Sequence, residues 1–228
     1  MKRVILLSEI HPLGTDRFNP IQQASRWHSL LTPEDLTLRL SFIDAIALID
    51  RRCEERDAVL LIRDWSHLDF TAVPFLQQPS YRLTTAEMLS DRFEIIHTAT
   101  VRHPIDQWLS LRDLVVMQNV IDLNTFLRGY RRFAETSARI GFIRYEDYTT
   151  NPDQVMAVLC QRLDVPFDPE FIHHWAEYSL VTGDLQRARS DSEIASQPRR
   201  PMEDGLLSAF ETNQDYQEAI SILGYDTR

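Results

Sequence analysis

A chain of 228 residues, 43% hydrophobic and 25% charged, has the size and composition of one globular domain with a full core, residues 1–228. Its formal net charge of -10 at pH 7 argues against a protein that grips a nucleic-acid backbone, so any anion site has to be local. Two cysteines, Cys53 and Cys160, lie far apart in neither a metal-ligand nor a redox spacing; the apolar run after Arg3 stops at Glu9, and nothing later is long enough to span a membrane. Together these features predict a soluble, cytoplasmic protein with no metal centre.

In chain order, an apolar strand over 3–7 leads into the polar loop SEIHPLGTDRFNP, and Asn19 with Pro20 marks a helix start. Thr32, Pro33 and Glu34 signal one long helix that carries Ile43, Ile46, Ala47 and Ile49 and ends before Asp57. Strands follow over 58–63 and 93–101, the second with His97 packed inside it. His103 with Pro104 opens a helix whose apolar side holds Ile105, Trp108, Leu109, Val115 and Val116; Phe126, Tyr130 and Phe133 form the buried stripe of the next. A strand over 141–145, helix starts at Asn151 with Pro152 and Asp168 with Pro169, a polar loop over 190–201 and a last helix over 203–223 complete the chain. The strand runs are nearly continuous in apolar character, which suits strands covered on both faces. Their alternation with helices predicts an α/β fold, a parallel sheet flanked by helices with its ligand edge at the strands' carboxyl ends.

TATVRHPIDQWLSLRDL, residues 98–114, is the most informative segment. An arginine directly after a buried strand and beside a helix start is placed to hold a dianion; it is equally the kind of residue that serves an internal ion pair. Arginine, any residue, proline, then a serine eight positions after the arginine is similar to the 3'-phosphate-binding segment of sulfotransferases that use PAPS, 3'-phosphoadenosine 5'-phosphosulfate. GFIRYEDYTTNPDQ, a strand ending in Arg-Tyr-Glu-Asp before an Asn-Pro helix, resembles a later segment of that family. The tail, with Arg199 and Arg200 before a final helix and a terminal Leu-Gly-Tyr, resembles its closing pattern.

The resemblance implies the family's P-loop kinase-like architecture, PAPS as cosubstrate, and a hydroxyl- or amine-bearing acceptor. Arg102 and Ser110 would contact the 3'-phosphate, and Arg199 and Arg200 would belong to a loop covering the cofactor, although a solvated pair is the plainer reading. Arg144, Glu146 and Asp147 read as a buried polar network at the sheet edge.

Sulfuryl transfer needs a group to take the acceptor's proton. VLLIRDWSHLDF offers Arg63, Asp64 and His67 after a strand. Family members with a histidine base carry a Lys-x-His element whose last two positions fall on Ser66 and His67, with Trp65 where the lysine would stand. His67 is the expected base, Asp64 its alternative or the group orienting it, and Arg63 a candidate to stabilise the leaving oxygen; His11, His97 and His103 compete as titratable groups.

The first loop lacks the Walker A pattern, which makes ATP or GTP hydrolysis the least expected chemistry. Gly14 and Thr15 align with the Gly-Thr of the family's shorter donor loop, whose basic residue and serine fall on Pro12 and Leu13. His11 or Arg17 would then supply positive charge, helped by backbone amides around Gly14 and at the helix starting from Asn19 and Pro20. Three functions follow: a sulfotransferase, a non-catalytic relative that binds the bisphosphate or a partner protein, and a small-molecule kinase. Acceptor choice would rest on the loops over 69–85 and 184–198.

Overall fold

A computed structural model describes residues 3–117, 120–183, 194–196, 198–203 and 205–227. In chain order the elements are β1 (Arg3–Ile10), α1 (Pro20–Arg26), α2 (Phe42–Glu54), β2 (Ala58–Asp64), α3 (Ser66–Phe70), α4 (Thr84–Leu89) and β3 (Ala99–Val101). Then come α5 (Pro104–Arg112), α6 (Leu123–Ile140), β4 (Phe142–Arg144), α7 (Tyr145–Thr150), α8 (Pro152–Arg162), α9 (Phe171–His174), α10 (Leu206–Glu211) and α11 (Gln214–Leu223). The chain divides into two compact units, one of Met1–Ser66, Leu83–Ile95 and Asp164–Ser192, the other of His67–Arg82, Ile96–Leu163 and Glu193–Arg228.

The first unit is built on β1 and β2, paired in parallel from Arg3 with Ala58 to Ile10 with Asp64. Ile5, Leu7 and Ile10 of β1 meet Ala24, Leu30, Ile49, Cys53 and Ala58 in its core. Near the strand's end the register slips between Ser8 and Ile10, where Glu9 takes a left-handed backbone with φ of 56°; such a bulge bends the strand as it enters the loop. The long helix expected from Thr32 is two pieces. Thr32 and Asp35 cap one another and support only the 3-10 turn Asp35–Thr37, whereas α2 starts at its own cap, Ser41, which accepts from the Asp44 amide at 3.2 Å.

In the second unit β3 and β4 pair in parallel, Ala99 with Phe142 to Val101 with Arg144. The strand expected over 93–101 is thus only its last three residues. Its partner is the limit: Gly141, at φ 83°, ends α6, so among the described residues no strand lies beside those before Thr98, and Ile96 and His97 are exposed rather than packed. Around this pair Val101, Ile105, Trp108, Phe126, Leu127, Tyr130, Phe210, Tyr216 and Ile220 share one core. α5 stops at Arg112, leaving Val116 exposed in a separate 3-10 turn. The last helix is broken in two because Asn213 caps α11 through the Tyr216 amide. Among the described residues the strands therefore form two parallel pairs, one in each unit, and no helix is long and apolar enough to cross a membrane.

Candidate functional site

The loop after β1 is held from below by Gln23, which is 1% exposed. Its Oε1 accepts from the Ser8 amide at 2.7 Å, and its Nε2 donates to the carbonyls of Ser8 at 2.7 Å and Arg17 at 2.5 Å. Gly14 is dictated by space: a Cβ there would come within 2.4 Å of the Phe18 carbonyl oxygen. Most amides expected to cradle phosphate are already used. Leu13 donates to His11 Nδ1, Gly14 to the His11 carbonyl, Phe18 to Thr15 and Asn19 to Asp16, and the Asn19 side chain caps Ile21 and Gln22. Among the described residues the amides of Thr15, Asp16 and Arg17 are left.

Of the two expected cations, His11 is buried, and a ring accepting at Nδ1 is the neutral tautomer. Arg17 is the cation of this loop. Its guanidinium lies 4.9 Å over the Phe18 ring, which stacks on Trp65 at 4.3 Å and 20°. Thus Trp65, at the place of the family's lysine, lies beneath the aromatic ring on which Arg17 rests. Phe18 had no signal in the sequence; Trp65 had one, as a departure from a motif.

Arg63, at the end of β2, is committed. It donates to Glu9 Oε1 at 2.8 Å, to the Ser8 hydroxyl at 3.2 Å and to the Thr182 carbonyl at 3.3 Å, joining β1, β2 and the segment around Thr182. Asp64 pairs with Ile10 at the last rung of the ladder.

In the second unit His67 lies on α3. Its Nε2 is 2.7 Å from the Val73 carbonyl oxygen, which can only accept, so that nitrogen carries the proton; Nδ1 then faces the Thr71 hydroxyl at 2.8 Å. Both ring nitrogens have local partners.

Arg102 follows β3 directly and is half-buried, with its guanidinium 4.9 Å over the Tyr145 ring. No described residue accepts a hydrogen bond from that guanidinium. The turn beneath it is fixed on three sides. The Tyr130 hydroxyl donates to the Arg102 carbonyl, the His103 amide donates to Glu146 Oε1 at 2.8 Å, and the His103 ring caps Ile105 at 3.3 Å while donating from Nε2 to the Asp226 carbonyl at 3.2 Å. Burial drives the Tyr130 phenol well above its ordinary range, so it stays a donor. The closing Leu-Gly-Tyr completes the arrangement: Tyr225 donates to Glu146 Oε2 at 2.7 Å, and Gly224 accepts from Arg144 at 2.8 Å. Arg144, Glu146 and Asp147 do form a polar network, but a half-exposed one, with Arg144 paired to Asp147 at 2.9 Å.

Arg199 and Arg200 are strapped onto α5. Arg199 grips both carboxylate oxygens of Asp106, with contacts of 2.9–3.2 Å, and Arg200 bonds the Leu109 carbonyl at 3.0 Å and the Asp113 carboxylate. Asp106, Ser110 and Asp113 fall at i, i+4 and i+7, one face of the helix. The two arginines therefore bracket Ser110, whose hydroxyl bonds to none of the described residues. Residues 190–193 and 197 of the loop read over 190–201, and 184–193 and 197 of that over 184–198, lie outside the described residues.

No protein-family model and no curated protein matches this chain. Among solved structures its fold is similar to that of a sulfotransferase domain from the curacin biosynthetic pathway. The TM-score is 0.56 at 17% identity, over 90% of this chain and 78% of that one. The chain has the fold of a sulfotransferase domain.

Proposed function

We propose that this chain is a PAPS-dependent sulfotransferase with the P-loop kinase-like architecture of that family, transferring a sulfuryl group in line to a hydroxyl or amine. The observation that carries the reading is Arg102, a half-buried guanidinium at a strand's carboxyl end, stacked on Tyr145 and with no hydrogen bond from its donors to any of the described residues. An arginine in an acidic protein that kept no anion would be expected to pair with one of its many carboxylates. In this reading Arg102 and Ser110 hold the 3'-phosphate, with Arg199 and Arg200 closing beside them. Gly14, Thr15 and Arg17 serve the 5' end. The acceptor oxygen or nitrogen forms its bond to sulfur as the bond from sulfur to the bridging oxygen breaks, and the acceptor's proton passes to His67.

The spent amides around Gly14 and the engaged ring of His67 favour a second reading, a protein that binds the bisphosphate without transferring sulfate. One series separates the two. 3'-Phosphoadenosine 5'-phosphate should raise the melting temperature more than ATP with magnesium does, and Arg102→Ala should abolish that rise while leaving the fold intact; an unchanged affinity by calorimetry would sink the cofactor assignment. With labelled PAPS and a panel of acceptors, the enzyme transfers label and His67→Ala does not. Stabilisation without transfer to any acceptor establishes the binding protein instead.

A further inference from the structure

A cleft of about 480 Å³, lined by Tyr81, Arg132, Glu135, Thr136 and Arg139, has no part in the cofactor contacts above. Its volume is in the range of small-molecule sites. One wall is a single face of α6, since 132, 135, 136 and 139 fall at i, i+3, i+4 and i+7. The other is Tyr81, whose backbone is left-handed at φ 54°, a conformation that costs a bulky residue stability and collects at ligand sites. Asp69, 2% exposed, holds it there: its carbonyl accepts from the Tyr81 amide at 2.9 Å and its carboxylate from Ser80 at 2.6 Å. Asp69 belongs to α3, two residues from His67, and α3 touches α6 directly, because a Cβ on Gly129 would lie 2.1 Å from the Phe70 carbonyl oxygen.

The charges in the cleft do not balance. Arg132 lies 5.9 Å over the Tyr81 ring and gives one bond to Glu135 at 3.2 Å, but the other oxygen of that carboxylate is taken by Arg131. Arg139 donates to Thr136 at 3.1 Å and meets no carboxylate among the described residues. Two guanidiniums thus stand in the cleft with part of one carboxylate, held by Arg132 alone of the pair, a local positive spot on a chain of net charge -10.

We propose that this cleft binds the anionic group, a carboxylate, sulfate or phosphate, of a small organic molecule whose ring or apolar body rests against Tyr81. Identifying that molecule as the sulfuryl acceptor rests on the function proposed above; the binding itself does not. The test uses phenyl phosphate, benzoate and neutral benzyl alcohol as probes, titrated by calorimetry into the full chain and into its Arg102→Ala variant. Both proteins should bind the two anions and not the alcohol. Arg139→Ala, a change at an exposed position, should weaken the anions about tenfold or more, with Arg139→Lys recovering part of the loss. Unchanged binding in Arg139→Ala, or displacement of phenyl phosphate by the adenosine bisphosphate, overturns the proposal. A wild type that binds no bisphosphate yet keeps Arg139-dependent anion binding would remove the transferase reading and leave the cleft standing.

Discussion

His103 caps α5 through Nδ1 and ties the chain's last residues through Nε2, and the cap, in which Nδ1 accepts, requires the neutral ring. Burial, with the Arg199 guanidinium adding to it, holds its pKa below the ordinary 6.5 against the opposing pull of the Asp226 carbonyl, Asp106 and Glu146. An unfolded chain therefore binds this proton more readily than the folded one, and stability rises with pH through that range. The contribution is intact above about pH 6.5 and is lost as the pH falls through and below it. His28, half-buried and bonded to the Leu6 carbonyl, adds a dependence of the same sign. Urea midpoints measured from pH 7.5 down to 5 should fall, and His103→Asn, a good cap that does not titrate, should flatten the curve by its share. An identical slope in that variant would show that the proton goes elsewhere.

Between elements, the tail after α11 acts on the turn between β3 and α5. Glu146 receives the His103 amide and the Tyr225 hydroxyl with its two oxygens, so the terminal Leu-Gly-Tyr and the Arg-Tyr-Glu-Asp segment meet on the backbone that presents Arg102. Glu146 and Tyr225 are positioning residues on this view. Glu146→Ala should weaken the bisphosphate more than Tyr225→Phe does, and Glu146→Gln, which keeps an acceptor for His103, should restore most of the affinity; calorimetry well below the unfolding range reads this apart from stability. If all three variants bind like wild type, Arg102 needs no such support. Local signals made much of this level readable in advance. Asn19 with Pro20, His103 with Pro104 and Asn151 with Pro152 each open a helix where expected, because a proline at the first helical position acts locally, joined by a side-chain cap at Asn19 and His103 but not at Asn151. What depended on a distant partner was not readable. Residues 93–98 have strand composition, yet among the described residues no strand lies beside them, and Ser41 rather than Thr32 starts α2.

For the molecule as a whole, the alternation of strand and helix anticipated an α/β fold. Spacing carries no information on which donors are already spent, so the loss of Arg63 to Glu9 and Ser8, and of the loop amides to their neighbours, emerged only in three dimensions. Net charge raises a last expectation. A chain at -10 repels a polyanionic ligand at long range and attracts it only within a few ångströms of its arginines. At roughly 10 mM salt the screening length is about 30 Å and the repulsion reaches the site; at 0.15 M it is about 8 Å and only the local pairs remain. Added salt weakens both, so the two changes offset one another. The dissociation constant of the bisphosphate should therefore change by less than about tenfold between these conditions, and its association rate should stay level or rise. Proteins that release counterions from a phosphate backbone lose roughly a thousandfold or more over a comparable range. Stopped-flow binding across a salt series decides the matter, and a steep loss of affinity would mean that the field at the site is set by a broad basic surface rather than by a few placed guanidiniums.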